Sequence, residues 1–191
     1  MSDKKTVAVF CGSTMGRKEI YRIKTLSLAS EMTKRDISLV YGGGNRGLMG
    51  VLAHAVFEQG GHVTGVLPKA MNFDRVTDGT ASSETIIVDG MHERKKKMYE
   101  LSSAFIAMPG GIGTLEELSE IYTWRQLGYT SSNIALYNID GYFDPFLKML
   151  DRAVDEGFLS AQVRDALIVS EDPSQLFDRL YSDRKELPSK L

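Results

Sequence analysis

The chain has 191 residues, 42% hydrophobic and 25% charged, with a formal net charge of -2. That is enough chain for one sizeable core. It has neither the basic excess expected of a nucleic-acid-binding protein nor an apolar run near the roughly 18 to 20 residues that cross a bilayer. A single cysteine, Cys11, cannot form an intrachain disulfide, and the opening MSDKKTVAVF carries no signal-peptide pattern, so a reducing cytoplasm is the expected location.

In chain order, Thr6 to Phe10 is the first candidate strand, followed by the turn CGSTMG at Cys11 to Gly16 and a helix over Lys18 to Lys34. Ser38 to Tyr41 leads through YGGGNRGLMG, ending at Gly50, into a helix over Leu48 to Gln59 that Gly60 and Gly61 stop. The strand His62 to Leu67 precedes Pro68 to Glu84, which has no period and reads as a long functional loop. Next come a strand at Thr85 to Val88, a helix over Met91 to Leu101 and a strand at Ala104 to Met108. The turn PGGIGTLEE at Pro109 to Glu117 opens a helix over Thr114 to Leu127. The remaining elements are a strand at Asn133 to Tyr137, a helix over Pro145 to Glu156 ended by Gly157, a strand at Leu167 to Val169 and a helix over Pro173 to Tyr181 capped by Asp172. Asp183 to Leu191 reads as a charged, frayed tail.

The strands are nearly continuous apolar runs, as expected of parallel strands covered on both faces. Their alternation with helices predicts a Rossmann-like, doubly wound α/β domain with a mainly parallel sheet and helices on both faces, its core spanning about residues 5 to 181. Ligands of such sheets bind beyond the carboxyl ends of the strands. Three turns there are rich in glycine, which makes Gly12 and Ser13 of the first, Gly43 and Gly44 of the second, and Gly110, Gly111 and Gly113 of the third candidates for ligand contact.

The third turn has the strongest signal. Amides from Gly111 through Ile112, Gly113 and Thr114 to Leu115 can converge on a phosphate at a helix N-terminus, with glycine permitting left-handed backbone and close approach, and the Thr114 hydroxyl adding a donor. No GxGxxG dinucleotide fingerprint and no GxxxxGK[ST] loop is present, so a mononucleotide or sugar phosphate is the better ligand. On the helix Met91 to Leu101, Arg94 shares the stripe of Met91, Met98 and Leu101, while Lys95, Lys96 and Lys97 turn progressively away. An inward guanidinium needs an anionic partner, in a structural salt bridge or a ligand pocket. Glu117 falls on the inner side of the next helix between Ile121 and Trp124, with Glu116 and Glu120 nearer solvent, yet Thr114 to Glu117 also reads as a TxxE capping box. His54, His62 and His92 have no metal-ligand spacing, and Cys11 reads as a packing residue.

Together VFCGS at Val9 to Ser13, YGGGNRGLMG, MHERK at Met91 to Lys95 and PGGIGTLEE resemble the Lonely Guy family of cytokinin riboside 5′-monophosphate phosphoribohydrolases, over about residues 5 to 181. The resemblance implies hydrolysis of the N-glycosidic bond of a nucleoside 5′-monophosphate to a free base and ribose 5-phosphate, no organic cofactor, and a homodimer or larger homo-oligomer. By matching position it implies Arg94 and Glu117 as the catalytic pair, with Lys95, Gly110, Gly111, Gly113, Thr114, Glu116 and Thr123 lining the nucleotide site. The family's acidic substrate contact before the fourth strand does not align securely; Asp74 and Glu84 are both candidates.

Two other readings compete. Molybdenum-cofactor carriers resemble this pattern and hold a phosphorylated ligand without hydrolysing it. A lysine decarboxylase label is also attached to PGGxGTxxE proteins, but that chemistry calls for pyridoxal phosphate on a Schiff-base lysine, and no lysine here stands out for it.

Overall fold

The fold was read from a computed structural model, which describes residues 5–70, 81–182 and 187. Seven strands form one parallel sheet: β1 (Thr6–Phe10), β2 (Ser38–Tyr41), β3 (Val63–Pro68), β4 (Glu84–Val88), β5 (Ala104–Ala107), β6 (Asn133–Tyr137) and β7 (Ile168–Ser170). β1, β2 and β6 have the predicted bounds, β4 and β5 differ by one residue at one end, and β3 and β7 lie one residue further along the chain at both ends. The described helices are α1 (Glu19–Lys34), α2 (Gly47–Glu58), α3 (Met91–Glu100), α4 (Ile112–Gln126), α5 (Asp144–Asp155), α6 (Ala161–Asp165) and α7 (Pro173–Ser182).

Burial explains the apolar runs. β1, β2, β3, β5 and β6 are buried almost throughout, because helices cover both faces of a parallel sheet, whereas the edge strand β4 is largely exposed. On one face, Leu28 and Met32 of α1, Leu52 and Val56 of α2, and Leu176 and Phe177 of α7 pack on Val7, Val9 and Leu39. On the other, Met98 of α3, Leu118 and Ile121 of α4, and Val163 of α6 pack on Ala8, Phe10 and Phe105. Each such fully buried Val, Leu, Ile, Met or Phe side chain contributes about 1.5–3 kcal/mol of transfer free energy.

Two short pieces escaped the sequence reading, α6 and a single 3₁₀ turn at Ile139–Gly141, because five and three residues are too few to display a period. The Asp172 cap is present: its Oδ1 accepts from the Gln175 amide at 2.8 Å. The helix predicted from Thr114 instead starts at Ile112, with Gly111 as its N-cap. Thr114 is therefore inside the first turn, and no capping box forms there.

The strand order β4-β3-β2-β1-β5-β6-β7 fixes the site. From β1 the chain builds outward to β4, then returns to lay β5 on the other side of β1. The turns leaving β1 and β5 consequently diverge from the middle of the sheet, and the crevice between them is the topological switch point where ligands of open α/β sheets bind.

Candidate active site

The turns at that crevice are stitched together by backbone. The Gly12 amide donates to the Pro109 carbonyl at 3.0 Å, and the Leu48 and Met49 amides donate to the carbonyls of Thr14 and Gly12 at 3.4 and 3.3 Å. The amides opening α2 are thus taken up by the β1 turn. Those opening α4 are not: Gly111 caps the helix, no side chain caps it, and the amides of Ile112, Gly113 and Thr114 precede the first intrahelical bond. Leu115, predicted as a fifth anion donor, is excluded because its amide already donates to the Gly111 carbonyl at 3.2 Å.

The glycines of this turn do not serve backbone handedness, contrary to expectation, since none of Gly110, Gly111 and Gly113 has a positive φ. They serve space. A Cβ on Gly110 would lie 2.1 Å from Thr114 Oγ1 and 2.8 Å from the Gly12 nitrogen, whereas at Gly111 and Gly113 it would meet nothing within 4 Å. The turn is therefore tight beneath and bare above. A cavity of about 200 Å³ adjoins it, walled by Gly12, Tyr21, Pro109, Gly110, Gly111 and Tyr142 among others. Ile112, the first residue of α4, is 81% exposed.

The other predicted glycines fill local roles. Gly43, at φ 75°, leaves room for the Leu67 side chain, Gly44 lies beside Met49, and Ser13 lies against Gly47. None of Ser13, Gly43 and Gly44 lines the cavity. Thr123 lies about 13 Å along α4 from Thr114 at 1.5 Å per residue; it is exposed, and its hydroxyl donates to the Ser119 carbonyl at 2.7 Å. Glu84 heads β4 and is exposed, and Asp74 lies outside the described residues.

α3 and α4 bring Arg94 and Glu117 together. Arg94 is buried; its Nε donates to the Val66 carbonyl at 3.1 Å, and Nη1 donates to Glu117 Oε1 at 3.0 Å. A Cβ on Gly42 would sit 1.8 Å from Nη2, so the bare Cα of Gly42 is the floor on which the guanidinium rests. Nothing in the sequence marks that role for Gly42. Burial pushes the Glu117 carboxyl up from the ordinary carboxylate range; the charge and hydrogen bond of Arg94 counteract this, and the net direction is upward.

Lys95 corrects the expectation that it turns away. Its side chain is 8% exposed, its ammonium pairs with Glu116, and it lies 3.0 Å from Glu120. The Tyr99 hydroxyl donates to Glu120 Oε2 at 2.7 Å and completes the cluster. Burial alone would lower the Lys95 pKa, but the hydrogen bonds with Glu116 and Glu120 leave it raised. That is opposite to the neutral amine a Schiff base requires, and Lys95 is the one buried lysine among the described residues. The residues here do not fit pyridoxal phosphate. Cys11 is buried, and desolvation, followed by the charge of Glu117, drives its thiol pKa up, as suits a packing residue.

The structure is of the Rossmann-like α/β class, with a buried Arg–Glu pair beside an open helix N-terminus, and residues 49–180 match the family described as possible lysine decarboxylase. The chain belongs to that family, in its Lonely Guy branch. It is 46% identical over 176 residues to the cytokinin riboside 5′-monophosphate phosphoribohydrolase LOG of Oryza sativa subsp. japonica, covering 92% of this chain and 72% of that one. An Arabidopsis thaliana protein of the same activity name is 44% identical, with 92% and 82% covered. Among solved structures, the molybdenum cofactor binding protein from Rippkaea orientalis superimposes with a TM-score of 0.71 at 18% identity, covering 95% of this chain and 98% of that one. That likeness concerns the fold.

Proposed function

We propose that the protein hydrolyses the N-glycosidic bond of a nucleoside 5′-monophosphate, a cytokinin riboside 5′-monophosphate or AMP, to the free base and ribose 5-phosphate. The observation that carries this reading is the buried Arg94–Glu117 pair beside the uncapped amides of α4. The 5′-phosphate would rest on the amides of Ile112, Gly113 and Thr114, placing the ribose toward Glu117. As the bond from C1′ to the base nitrogen breaks, its electron pair leaves with the base, which takes up a proton, and positive charge builds on the ribose. The Glu117 carboxylate stabilises that charge and accepts a proton from the water whose oxygen bonds to C1′. Arg94 positions Glu117 by a charge-assisted hydrogen bond.

A carrier that holds a phosphorylated ligand unchanged would need no buried carboxylate in the second turn of α4. The two relatives above, both named as phosphoribohydrolases, weigh the same way. A homodimer in the cytoplasm belongs to the same reading. It is supported by exposed apolar Met91 and Ile112 near the site and by the single buried Cys11, and sedimentation checks the dimer. The direct test incubates the protein with AMP and with isopentenyladenosine monophosphate and follows free base by chromatography. Release that requires Glu117 supports the hydrolase; nucleotide bound without release favours the carrier.

A further inference from the structure

Tyr142 has no place in the sequence motifs, yet its hydroxyl donates a hydrogen bond to the Gly110 carbonyl inside the glycine-rich turn. We infer that Tyr142 is a positioning residue that locks the Gly110–Gly111 peptide in the orientation that binds phosphate. This rests on the hydrolase reading only for the identity of the ligand.

The geometry is that of a rigid plane. A trans peptide, as here, points its carbonyl and its amide N–H in opposite directions. Tyr142 holds the Gly110 oxygen on the cavity wall, so the Gly111 N–H faces the other way and can join the amides of Ile112, Gly113 and Thr114 around one anion. Glycine on both sides gives the peptide no Cβ to restrict it, and although Gly110 is packed against Thr114, at Gly111 no neighbour would oppose even a side chain. A flipped peptide would aim a carbonyl lone pair at the phosphate. The Gly12 amide secures the preceding carbonyl, that of Pro109, at 3.0 Å, and leaves the Gly110 carbonyl to Tyr142.

A second set of contacts points to placement of Tyr142 rather than chance proximity. The two residues before it are left-handed, Asp140 at φ 54° and Gly141 at φ 67°, a conformation uncommon for a non-glycine residue and held here by local contacts. Asp140 pairs with Lys18 at the start of α1. The Asn138 side chain accepts from the Phe143 amide at 2.7 Å and donates to Asp144 at 2.8 Å. A Cβ on Gly141 would come within 2.8 Å of Asp144. The Tyr142 ring packs edge-on against Tyr21 and Phe143, with centroids 6.1 and 5.2 Å away, so the hydroxyl is delivered by a fixed ring.

The test compares wild type with Tyr142→Phe and Tyr142→Ala by calorimetric titration with AMP and with adenosine, alongside kcat and KM for AMP. Tyr142→Phe keeps the ring packing and removes one hydrogen bond; AMP is expected to bind roughly fivefold more weakly, adenosine as before, with the loss falling on KM more than on kcat. Unchanged AMP affinity in Tyr142→Phe, with loss confined to Tyr142→Ala, overturns the inference and leaves a packing ring. Equal weakening for AMP and adenosine overturns it as well. If wild type releases no base while AMP affinity still falls in Tyr142→Phe, the hydrolase reading fails and the role of Tyr142 stands.

Discussion

Arg94–Glu117 and Lys95–Glu116 are built alike: adjacent residues of α3 reach adjacent residues of α4, and each buries a cation against a carboxylate. They differ in what surrounds the carboxylates. The Glu117 side chain is 12% exposed and, among the described residues, its carboxylate takes its one hydrogen bond from Arg94. Glu116 is 51% exposed, and its lysine is shared with Glu120, which Tyr99 also holds. A desolvated carboxylate with a single partner keeps lone pairs for a ligand and a raised pKa for proton transfer. The shared, half-solvated cluster is saturated by its own members. On the proposed reading, one pair serves the chemistry and the other joins two helices.

The contrast breaks most deeply at Glu117. Glu117→Ala should lower AMP turnover by about 10³-fold, the scale of losing general-base and charge-stabilising action together, while AMP binding by calorimetry stays near wild type. Loss of binding with the fold intact would remove Glu117 from the chemistry. Gly42→Ala strikes the same pair from its other partner. The new Cβ would overlap Arg94 Nη2, and because the guanidinium is the mobile end of a long side chain, it shifts more readily than the sheet does. Turnover should fall by about 10²-fold, for a stability loss of about 1–2 kcal/mol in urea unfolding. A variant of full activity would mean that the position of Arg94 is immaterial.

How far the pair was legible in the sequence depends on the scale of the signal. Arg94 on the stripe of Met98 could be read as inward because its partners in the pattern belong to its own helix. The burial of Lys95 could not, since it follows from where α4 places Glu116 and Glu120, more than twenty residues on. The capping-box reading of Thr114 and Glu117 failed for a related reason: the helix starts two residues earlier, at Ile112, which moves Thr114 inside and turns Glu117 toward Arg94. Gly42 and Tyr142 act through single atoms of distant elements and leave no periodic trace. The sheet, whose strands are long apolar runs between clear breakers, was legible almost to the residue.

The pH profile sharpens the comparison further. Glu117 must be ionised to act, and burial raises its pKa, so kcat/KM should fall on acidification at pH values above the ordinary carboxylate range. Arg94 acts in the opposite sense, its charge holding the Glu117 pKa down. Arg94→Gln should therefore carry the acid limb to higher pH, in addition to lowering the plateau. A limb that stays in place would show that another group controls it.

Lys95→Met should have the smallest effect on turnover and the clearest effect on stability. The methionine keeps much of the apolar stem but leaves Glu116, Glu120 and the Tyr99 hydroxyl without their central cation. Because Glu116 is half exposed and Glu120 29% exposed, water compensates part of the loss, and about 1–2 kcal/mol of unfolding free energy is expected, well under the cost of breaking a fully buried pair. Lys95 also helps to hold the Glu117 pKa down, so its removal should move the acid limb in the same direction as Arg94→Gln and by less, since Arg94 is the larger influence. Urea unfolding and the pH profile of the same variant therefore test both halves of the contrast. If Lys95→Met lost turnover as deeply as Glu117→Ala while unfolding like wild type, the second pair would also belong to the chemistry, and Lys95 would have to reach the substrate by leaving both of its carboxylates.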